Sequence, residues 1–235
     1  MKKTIFAIAA LSLVLTSCQP SQKKSDSTCE KKGTCCKQES MTMEKFEAIK
    51  LLPAQFDCKI SLMEAVKNRK SYREFAETNL SLNHLSNVLW MANGVNREDG
   101  KRTVPSAMAL YPLETYAVLA NGIYHYDPVA HLLNPVVEGD FRELSGLQPF
   151  VNNAPLNLVF IANYNKYNGD RKVPEHKRLY LAALDAGHCT QNIYLYCAAV
   201  GLKSVVRAGA KEKELLEVLK LDENYQFVVA HTVGY

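Results

Sequence analysis

The stretch from residue 175 to residue 200 constrains the fold most, because it contains no proline and only one glycine, Gly187. A stretch of this length without helix breakers predicts one long α-helix, and Gly201 directly after it is a typical helix stop. Glycine inside a helix costs about 1 kcal/mol relative to alanine, so Gly187 indicates a packing or ligand-binding reason. Cys189 and Cys197 then lie about 12 Å apart along the axis, too far for a disulfide.

Three shorter helices are predicted from capping and periodicity. Ser61 and Glu64 have the spacing of a capping box, which opens a helix toward Arg69. The other two helices are predicted at Ser81–Asn93, with Gly94 as its stop, and at Lys211–Leu219.

The β-prone runs alternate with these helices in no regular order. Asn121-Gly122 separates two such runs and predicts a hairpin turn. Leu156–Ala162 is a continuous apolar run, as expected of a central strand that is buried on both faces. Two further strands are predicted at Ser204–Arg207 and Gln226–Val233. This mixed order favours an α+β fold over a regular α/β alternation.

Residues 1–17 have the pattern of a bacterial lipoprotein signal peptide. Two lysines follow Met1, and the apolar run Ile5–Leu15 is too short to span a bilayer, which needs about 20 residues. Leu15-Thr16-Ser17-Cys18 resembles a lipobox, in which the cysteine carries the lipid, so Cys18 is the predicted lipidation site. Because Gln19 is not an aspartate, we expect a lipid-anchored protein of the bacterial cell envelope, at the periplasmic face of the outer membrane. The alternative is an ordinary secretory signal with a coincidental cysteine.

Residues 18–45 are predicted to be a disordered tether that contains cysteines. The segment is rich in Ser, Lys, Gln, Thr and Glu, so it cannot bury a core. Cys29, Cys35 and Cys36 have no accompanying His or Cys at metal-ligand spacing, and in an oxidising envelope they predict disulfides or unpaired thiols. The folded domain therefore comprises residues 46–235, which is long enough for one sizeable core.

Charge and motif content exclude several classes of protein. The 28 basic and 24 acidic side chains give a net charge of +4, to which Lys2 and Lys3 of the signal peptide contribute two. The remaining charge gives no electrostatic case for binding nucleic acid. The sequence lacks the Gly-rich dinucleotide motif, the P-loop and Gly-x-Ser-x-Gly, and no His or Cys spacing predicts a metal site.

Four segments carry the residues that we consider for binding. The first, Asn68–Arg73, combines three cations with a hydroxyl, which suits a phosphate group but equally suits a solvated basic helix end. The second, Pro105–Glu114, has small residues that permit close approach to a flat ligand, although a plain loop would look the same. The third and fourth are Asp185–Asn192, with a glycine and polar groups inside the long helix, and Val205–Ala210, where a strand ends at glycine.

In this order and spacing, the four segments resemble the FMN-dependent nitroreductase family, and more closely its SagB-type dehydrogenase branch. Pro105-Ser106-Ala107 followed by Leu110-Tyr111-Pro112-Leu113-Glu114 is the string most specific to that branch. The resemblance covers residues 46–235. It implies a nitroreductase-like FMN-binding domain with a central mixed or antiparallel sheet flanked by helices, and a homodimer with two FMN molecules at the subunit interface.

The resemblance also assigns roles to individual positions. Arg69, Lys70, Ser71 and Arg73 would hold the FMN phosphate and ribityl chain. Pro105, Ser106 and Ala107 would cover the isoalloxazine from the partner subunit, and Ala208 and Gly209 would approach flavin N5. Gln191 and Asn192 are further candidates, depending on how the helix is oriented. Arg207 would stabilise negative charge on reduced flavin or on substrate, unless it faces solvent.

The function implied is an FMN-dependent oxidoreductase of the cell envelope, in which flavin N5 carries the chemistry and no side chain is an obligatory acid or base. It would transfer hydride or electrons to a small conjugated, quinone or nitroaromatic acceptor.

Family members usually continue past the last strand with a basic residue of the phosphate site, whereas this sequence closes at Tyr235. A non-catalytic lipoprotein that binds flavin or a related ligand is therefore one alternative. An azoline-type peptide dehydrogenase with partner cyclodehydratases is another.

Overall fold

A seven-stranded sheet forms the centre of the computed structural model, which describes residues 45–55, 60–169 and 172–235. The strands are β1 (Ile49–Lys50), β2 (Leu113–Leu119), β3 (Gly122–Asp127), β4 (Leu132–Glu138), β5 (Leu156–Asn163), β6 (Lys203–Arg207) and β7 (Tyr225–Gly234). Their order across the sheet is β1-β4-β3-β2-β5-β7-β6, and each pairing between them is antiparallel. The sheet is thus antiparallel, and the α+β prediction is confirmed.

Four α-helices flank the sheet, and the described residues all belong to one compact unit, Lys37–Tyr235. The helices are α1 (Leu62–Asn68), α2 (Leu82–Asn93), α3 (Glu175–Val200) and α4 (Glu212–Val218). Short 3₁₀ helices lie at Ala107–Ala109, Arg142–Ser145, Pro149–Asn152 and Tyr164–Tyr167. The predicted long helix, the predicted stop at Gly201 and the predicted capping box at Ser61 are all confirmed.

Strand β5 divides the core into two parts, because its successive side chains point to opposite faces of the sheet. Leu158 and Phe160 pack in the larger cluster, which also contains buried side chains of α2 and α3. Val159 and Ile161 pack in the smaller cluster, together with Leu215 of α4. The predicted central strand is therefore confirmed, and α3 lies on one face of the sheet with α4 on the other.

The predicted hairpin of β2 and β3 forms, but its two turn residues are Ala120 and Asn121, because Gly122 already pairs with Leu119 as the first residue of β3. The next strand, β4, is not evident from the sequence. Pro135 interrupts β4, and proline normally argues against a strand. It is tolerated here because β1 pairs only with Leu132 and Leu133, which leaves the remainder of β4 at the edge of the sheet. A bulge in the β3–β4 pairing also falls opposite this part of β4.

The predicted signal peptide and the predicted lipidation site at Cys18 lie outside the described residues. The predicted tether also lies outside them, apart from Lys45. Among the helices of residues 45–55, 60–169 and 172–235, none is both long and apolar enough to cross a membrane. Within the same residues, Cys189 and Cys197 are buried free thiols, as the helix geometry predicts.

Candidate functional site

The cationic segment begins where α1 ends. The backbone N–H of Arg69 donates to the carbonyl of Ala65 and caps the helix. Lys70 and Arg73 are exposed, and Arg69 is half-buried. Among the described residues, no carboxylate lies within ion-pair distance of any of these three cations. The segment therefore presents positive charge that this part of the chain does not neutralise.

Tyr194 of α3 ties this segment to strand β6. Its hydroxyl lies 2.8 Å from Ser71 Oγ and accepts a hydrogen bond from the backbone N–H of Val206 at 2.9 Å. The guanidinium of Arg69 lies over the tyrosine ring, 5.1 Å from its centroid. A backbone hydrogen bond from Tyr72 N–H to the Ser204 carbonyl, 3.0 Å long, fixes the segment to the same strand. The structure thus brings the first and fourth predicted segments together on α3.

The fourth segment continues beyond β6 into a turn at the surface. Ala208 is exposed, and Gly209 is half-buried. A Cβ placed on Gly209 would lie 3.0 Å from Leu147, whose side chain is itself 67% exposed. The backbone of this turn is therefore accessible from solvent beside an apolar side chain.

Arg207 differs from both alternatives that the sequence offers, because its guanidinium neither faces solvent nor is free for a ligand. The residue is 6% exposed and donates to the carbonyl of Ser145, to Thr232 Oγ1 at 3.1 Å and to Asn157 Oδ1 at 3.1 Å. Burial lowers the pKa of Arg207 to about 10, so it stays protonated at neutral pH. Its partners lie on strands β5 and β7 and at the end of the 3₁₀ helix Arg142–Ser145, so its guanidinium contributes to packing of the sheet.

The second segment is anchored to a different part of α3. The Ser106 hydroxyl accepts from the backbone N–H of Tyr111 at 3.0 Å, and the Ser106 side chain and the N–H of Ala107 both lie close enough to the buried carboxylate of Asp185 to lower its pKa. Burial raises the pKa of Asp185, and these two donors partly oppose the rise. The Ser106 hydroxyl therefore accepts a hydrogen bond within the chain, and Pro105 and Ala107 can cover a ligand through their backbone and carbon atoms.

Backbone strain marks the same segment. Met108, Ala109 and Tyr111 have φ values of 55°, 54° and 46°, in the left-handed region that residues other than glycine rarely adopt. Strain of this kind costs roughly 1–3 kcal/mol per residue and concentrates at binding and active sites. The hydrogen bonds of Ser106 help to hold the strained conformation.

A charged cluster fixes the end of this segment where it enters β2. Glu114 lies 2.8 Å from both His125 Nε2 and Lys166 Nζ, and Lys166 Nζ also donates to the carbonyl of Tyr111. Burial by itself would raise the pKa of Glu114, but the hydrogen bond with His125 and the Lys166 ammonium lower it to about 2. Glu114 therefore stays ionised at neutral pH and holds the segment in place.

The two anchor points lie well apart in one chain. Asp185 and Tyr194 are nine residues apart on α3, which is about 14 Å along the helix axis. The structure therefore does not gather the cationic segment and Pro105–Ala107 around one point of the helix. This separation is compatible with the expectation that Pro105–Ala107 act on the flavin of the partner subunit.

Gln191 and Asn192 face different surroundings. The side-chain amide of Asn192 donates to the carbonyl of Met91 in α2, and the residue lines a cavity of about 310 Å³ between α1, α2 and α3. Gln191 is exposed on the opposite side, on a face of α3 that also contains Leu184 and Gly187. A Cβ at Gly187 would meet no atom of this chain within 4 Å, so packing inside the chain does not require the glycine.

No group of three or more His, Cys, Asp and Glu side chains within the described part of the chain could hold a metal ion. The fold and the site together define a class: an α+β protein whose cationic segment lies beside helix α3 and has no ion-pair partner among the described residues. The sequence model of the nitroreductase family matches residues 66–235. The chain therefore belongs to the nitroreductase family.

Individual relatives agree with this assignment. Over 174 residues, the chain is 33% identical to "Putative nitroreductase MJ1384" of Methanocaldococcus jannaschii, and the match covers 70% of this chain and 86% of that protein. A crystal structure of a "putative nitroreductase" from Ralstonia eutropha JMP134 is 37% identical, with a TM-score of 0.75 over 83% of this chain and 91% of that one. The E. coli microcin synthetase McbBCD complex with bound truncated pro-MccB17 shares the fold at 22% identity, with a TM-score of 0.60 over 79% and 77%.

Proposed function

We propose that this protein is an FMN-dependent oxidoreductase that transfers hydride or electrons through flavin N5 to a small conjugated, quinone or nitroaromatic acceptor. Membership of the nitroreductase family supports an oxidoreductase. The observation that supports FMN as the cofactor is the segment Arg69–Arg73. Its three cations lack a carboxylate partner among the described residues, and they flank a serine hydroxyl. A guanidinium group can donate two parallel hydrogen bonds to the oxygens of one phosphate. This donor set therefore fits the phosphate of FMN.

Different residues of this chain would bind different parts of FMN. Arg69, Lys70, Ser71 and Arg73 would hold the phosphate and ribityl chain, and the backbone of Ala208 and Gly209 would lie beside the flavin ring. The partner subunit's Pro105, the partner subunit's Ser106 and the partner subunit's Ala107 would cover the ring from the other side. The flavin supplies hydride and electron transfer when bound, and the protein supplies position and electrostatics.

A homodimer is part of this proposal, and the fold family is commonly homodimeric. The faces that support it are on α1 and α3, where large apolar side chains are exposed to solvent in the single chain. Met63 of α1 is 75% exposed, and Tyr180 and Leu184 of α3 are 64% and 45% exposed. Apolar faces of this kind mark contact surfaces.

The proposed location is the bacterial cell envelope, with a lipid on Cys18 as the anchor and with the outer membrane as its site. The support is the signal-like sequence of residues 1–17 and the lipobox that follows it. An envelope location puts cytosolic nicotinamide cofactors out of reach. The electron donor in this proposal is therefore a quinone, a free flavin or a redox protein of the envelope.

The test is flavin uptake by the purified protein, followed by visible absorption before and after addition of FMN. We expect Arg69→Ala and Arg73→Ala each to weaken FMN binding about tenfold or more, because each removes hydrogen bonds to a charged phosphate, worth about 1.5–3 kcal/mol apiece. Lys213→Ala is the matched control, since it removes one exposed cation from α4 and should leave the affinity unchanged. Equal affinity in all four proteins would contradict the phosphate-site assignment.

Turnover distinguishes the alternatives once flavin is bound. A tightly held flavin that no donor reduces would favour the non-catalytic ligand-binding lipoprotein. Oxidation of an azoline peptide together with partner cyclodehydratases would favour the peptide dehydrogenase, which the likeness to the microcin synthetase complex supports at the level of the fold alone. Reduction of quinones or nitroaromatic compounds by the flavin-loaded protein is the result that we expect.

A further inference from the structure

We propose that Tyr194 is a positioning residue that fixes the Ser71 hydroxyl as a hydrogen-bond donor to the ligand phosphate. This inference rests on the proposed FMN function, because it concerns how the cationic segment recognises its anion. Tyr194 lies on α3 and is 7% exposed, so it is the buried neighbour of an exposed segment.

The assignment follows from the hydrogens around the tyrosine hydroxyl. A phenol has one O–H to donate and can accept two hydrogen bonds, and a serine hydroxyl has one O–H as well. The backbone N–H of Val206 can only donate, so Tyr194 Oη accepts there, at 2.9 Å. Among the described residues, the remaining partner of Tyr194 Oη is Ser71 Oγ, at 2.8 Å.

Among the described residues, the acceptor for the O–H of Tyr194 is therefore the oxygen of Ser71. When Ser71 Oγ accepts this hydrogen bond, the O–H of Ser71 is available to a second acceptor. The cations of the segment carry no carboxylate within ion-pair distance in the described residues, so the acceptor that this arrangement suits is an external anion. A serine whose polarity is fixed in this way donates to a phosphate oxygen without first reorienting its hydroxyl.

Two neighbouring side chains contact the ring of Tyr194. The Arg69 guanidinium lies 5.1 Å from the ring centroid, and the His231 ring packs edge-on with its centroid 4.7 Å away. Neither nitrogen of His231 has a hydrogen-bond partner in the described residues, so His231 does not compete for the tyrosine hydroxyl. The same side chain thus orients the hydroxyl of Ser71 and supports the charge of Arg69.

A double-mutant cycle on FMN affinity tests the proposal, with Tyr194→Phe, Ser71→Ala and the double variant. Phenylalanine keeps the ring under Arg69 and removes only the hydroxyl. We expect each single variant to bind FMN about tenfold more weakly, and the double variant to be no weaker than Ser71→Ala, because Tyr194 acts through Ser71. Tyr164→Phe is the control, since Tyr164 is a half-buried tyrosine of the Tyr164–Tyr167 turn, outside every segment assigned to the ligand, and its hydroxyl should not matter.

Losses that add in the double variant would overturn the proposal and leave Tyr194 a purely structural link to β6. Unchanged FMN affinity in Tyr194→Phe would overturn it as well, with circular dichroism confirming that the variant is folded.

Riboflavin, which lacks the phosphate, gives a second readout: its affinity should fall less than twofold in Tyr194→Phe, and an equal loss for both flavins would contradict a role at the phosphate. If the unmodified protein takes up no FMN, the proposed function itself fails. FMN uptake by the unmodified protein therefore separates a failure of the proposed function from a failure of the role assigned to Tyr194.

Discussion

The variant His231→Leu is expected to remain folded in acid at a pH at which the unmodified protein unfolds. His231 lies in β7, is fully buried, and has no hydrogen-bond partner for either ring nitrogen among the described residues. Burial, together with the nearby positive charge of Arg207, lowers the pKa of His231 to about 3. The folded state therefore keeps this ring neutral far below the pH at which a free histidine takes up a proton.

The direction of the effect follows from proton binding in the two states. An unfolded histidine titrates near pH 6.5, so between about pH 6.5 and pH 3 the unfolded chain binds one proton more than the folded chain. The free energy of unfolding then falls by about 1.4 kcal/mol for each pH unit of acidification, or about 5 kcal/mol over the whole interval. Leucine cannot bind a proton, so His231→Leu should lose this part of the pH dependence.

Urea unfolding at a series of pH values between 7 and 4 measures the effect directly. The control is His176→Leu, which removes an exposed histidine of α3 and should lose stability in acid as steeply as the unmodified protein does. Parallel curves for the unmodified protein and His231→Leu would refute the prediction, since they would place the acid sensitivity in other groups.

Gly146→Ala is expected to destabilise the fold by about 2–3 kcal/mol. Gly146 has a φ of −169°, an extended conformation open to any residue, so the cost comes from space and not from backbone strain. A Cβ at this position would collide with Nη1 of Arg207 and lie 2.7 Å from Cγ1 of Val151. Arg207 cannot move aside without breaking its hydrogen bonds to Asn157 and Thr232, and overpacking of this kind costs about 1–3 kcal/mol.

Thermal and urea unfolding of three further proteins (Gly187→Ala, Arg207→Lys and the double variant of Gly146→Ala with Arg207→Lys) separates crowding at Arg207 from a general effect of alanine. Gly187→Ala should be neutral or stabilise α3 by about 0.5–1 kcal/mol, because a Cβ there meets no atom of this chain within 4 Å. In an Arg207→Lys background, Gly146→Ala should cost at most half as much, because lysine lacks the nitrogen that collides. A full cost in that background would show that Val151, and not Arg207, limits the space.

The sequence predicts those parts of the fold whose signals are local. The long helix α3 and its stop at Gly201 follow from one uninterrupted stretch, and the β2–β3 hairpin follows from Asn121-Gly122. β4 has no comparable local signal, because Pro135 argues against a strand and only the position at the sheet edge makes it acceptable. That position depends on strand order, which no local pattern contains.

In the candidate site, too, the features with local sequence signals were predictable and those that depend on distant residues were not. The cations of Arg69–Arg73 and the turn at Ala208 and Gly209 are visible as motifs, and the structure brings them together through Tyr194. The surroundings of Arg207 were not predictable, because its partners Asn157 and Thr232 are 50 and 25 residues away in the sequence. One available signal was Asn157 itself, a polar residue inside an otherwise apolar strand, which must find a partner when buried.

The strained conformation of Met108, Ala109 and Tyr111 also has no sequence signal, because none of the three is a glycine. A hydrogen bond from the backbone N–H of Tyr111 to Ser106 Oγ helps to set their backbone, and Ser106 lies beside Asp185 of α3. Asp185 was noted as a polar residue within the long helix, but its role as an anchor for this segment needs the tertiary structure.

The place of β7 in the sheet has a consequence for synthesis of the protein. β7 is the last of the seven strands in chain order, yet it lies between β5 and β6. A nascent chain that still lacks residues 225–234 cannot attach β6 to the sheet, because β7 is the strand with which β6 pairs. The sheet is therefore completed only when these residues leave the ribosome, and until then β5 keeps an open edge, which delays compaction.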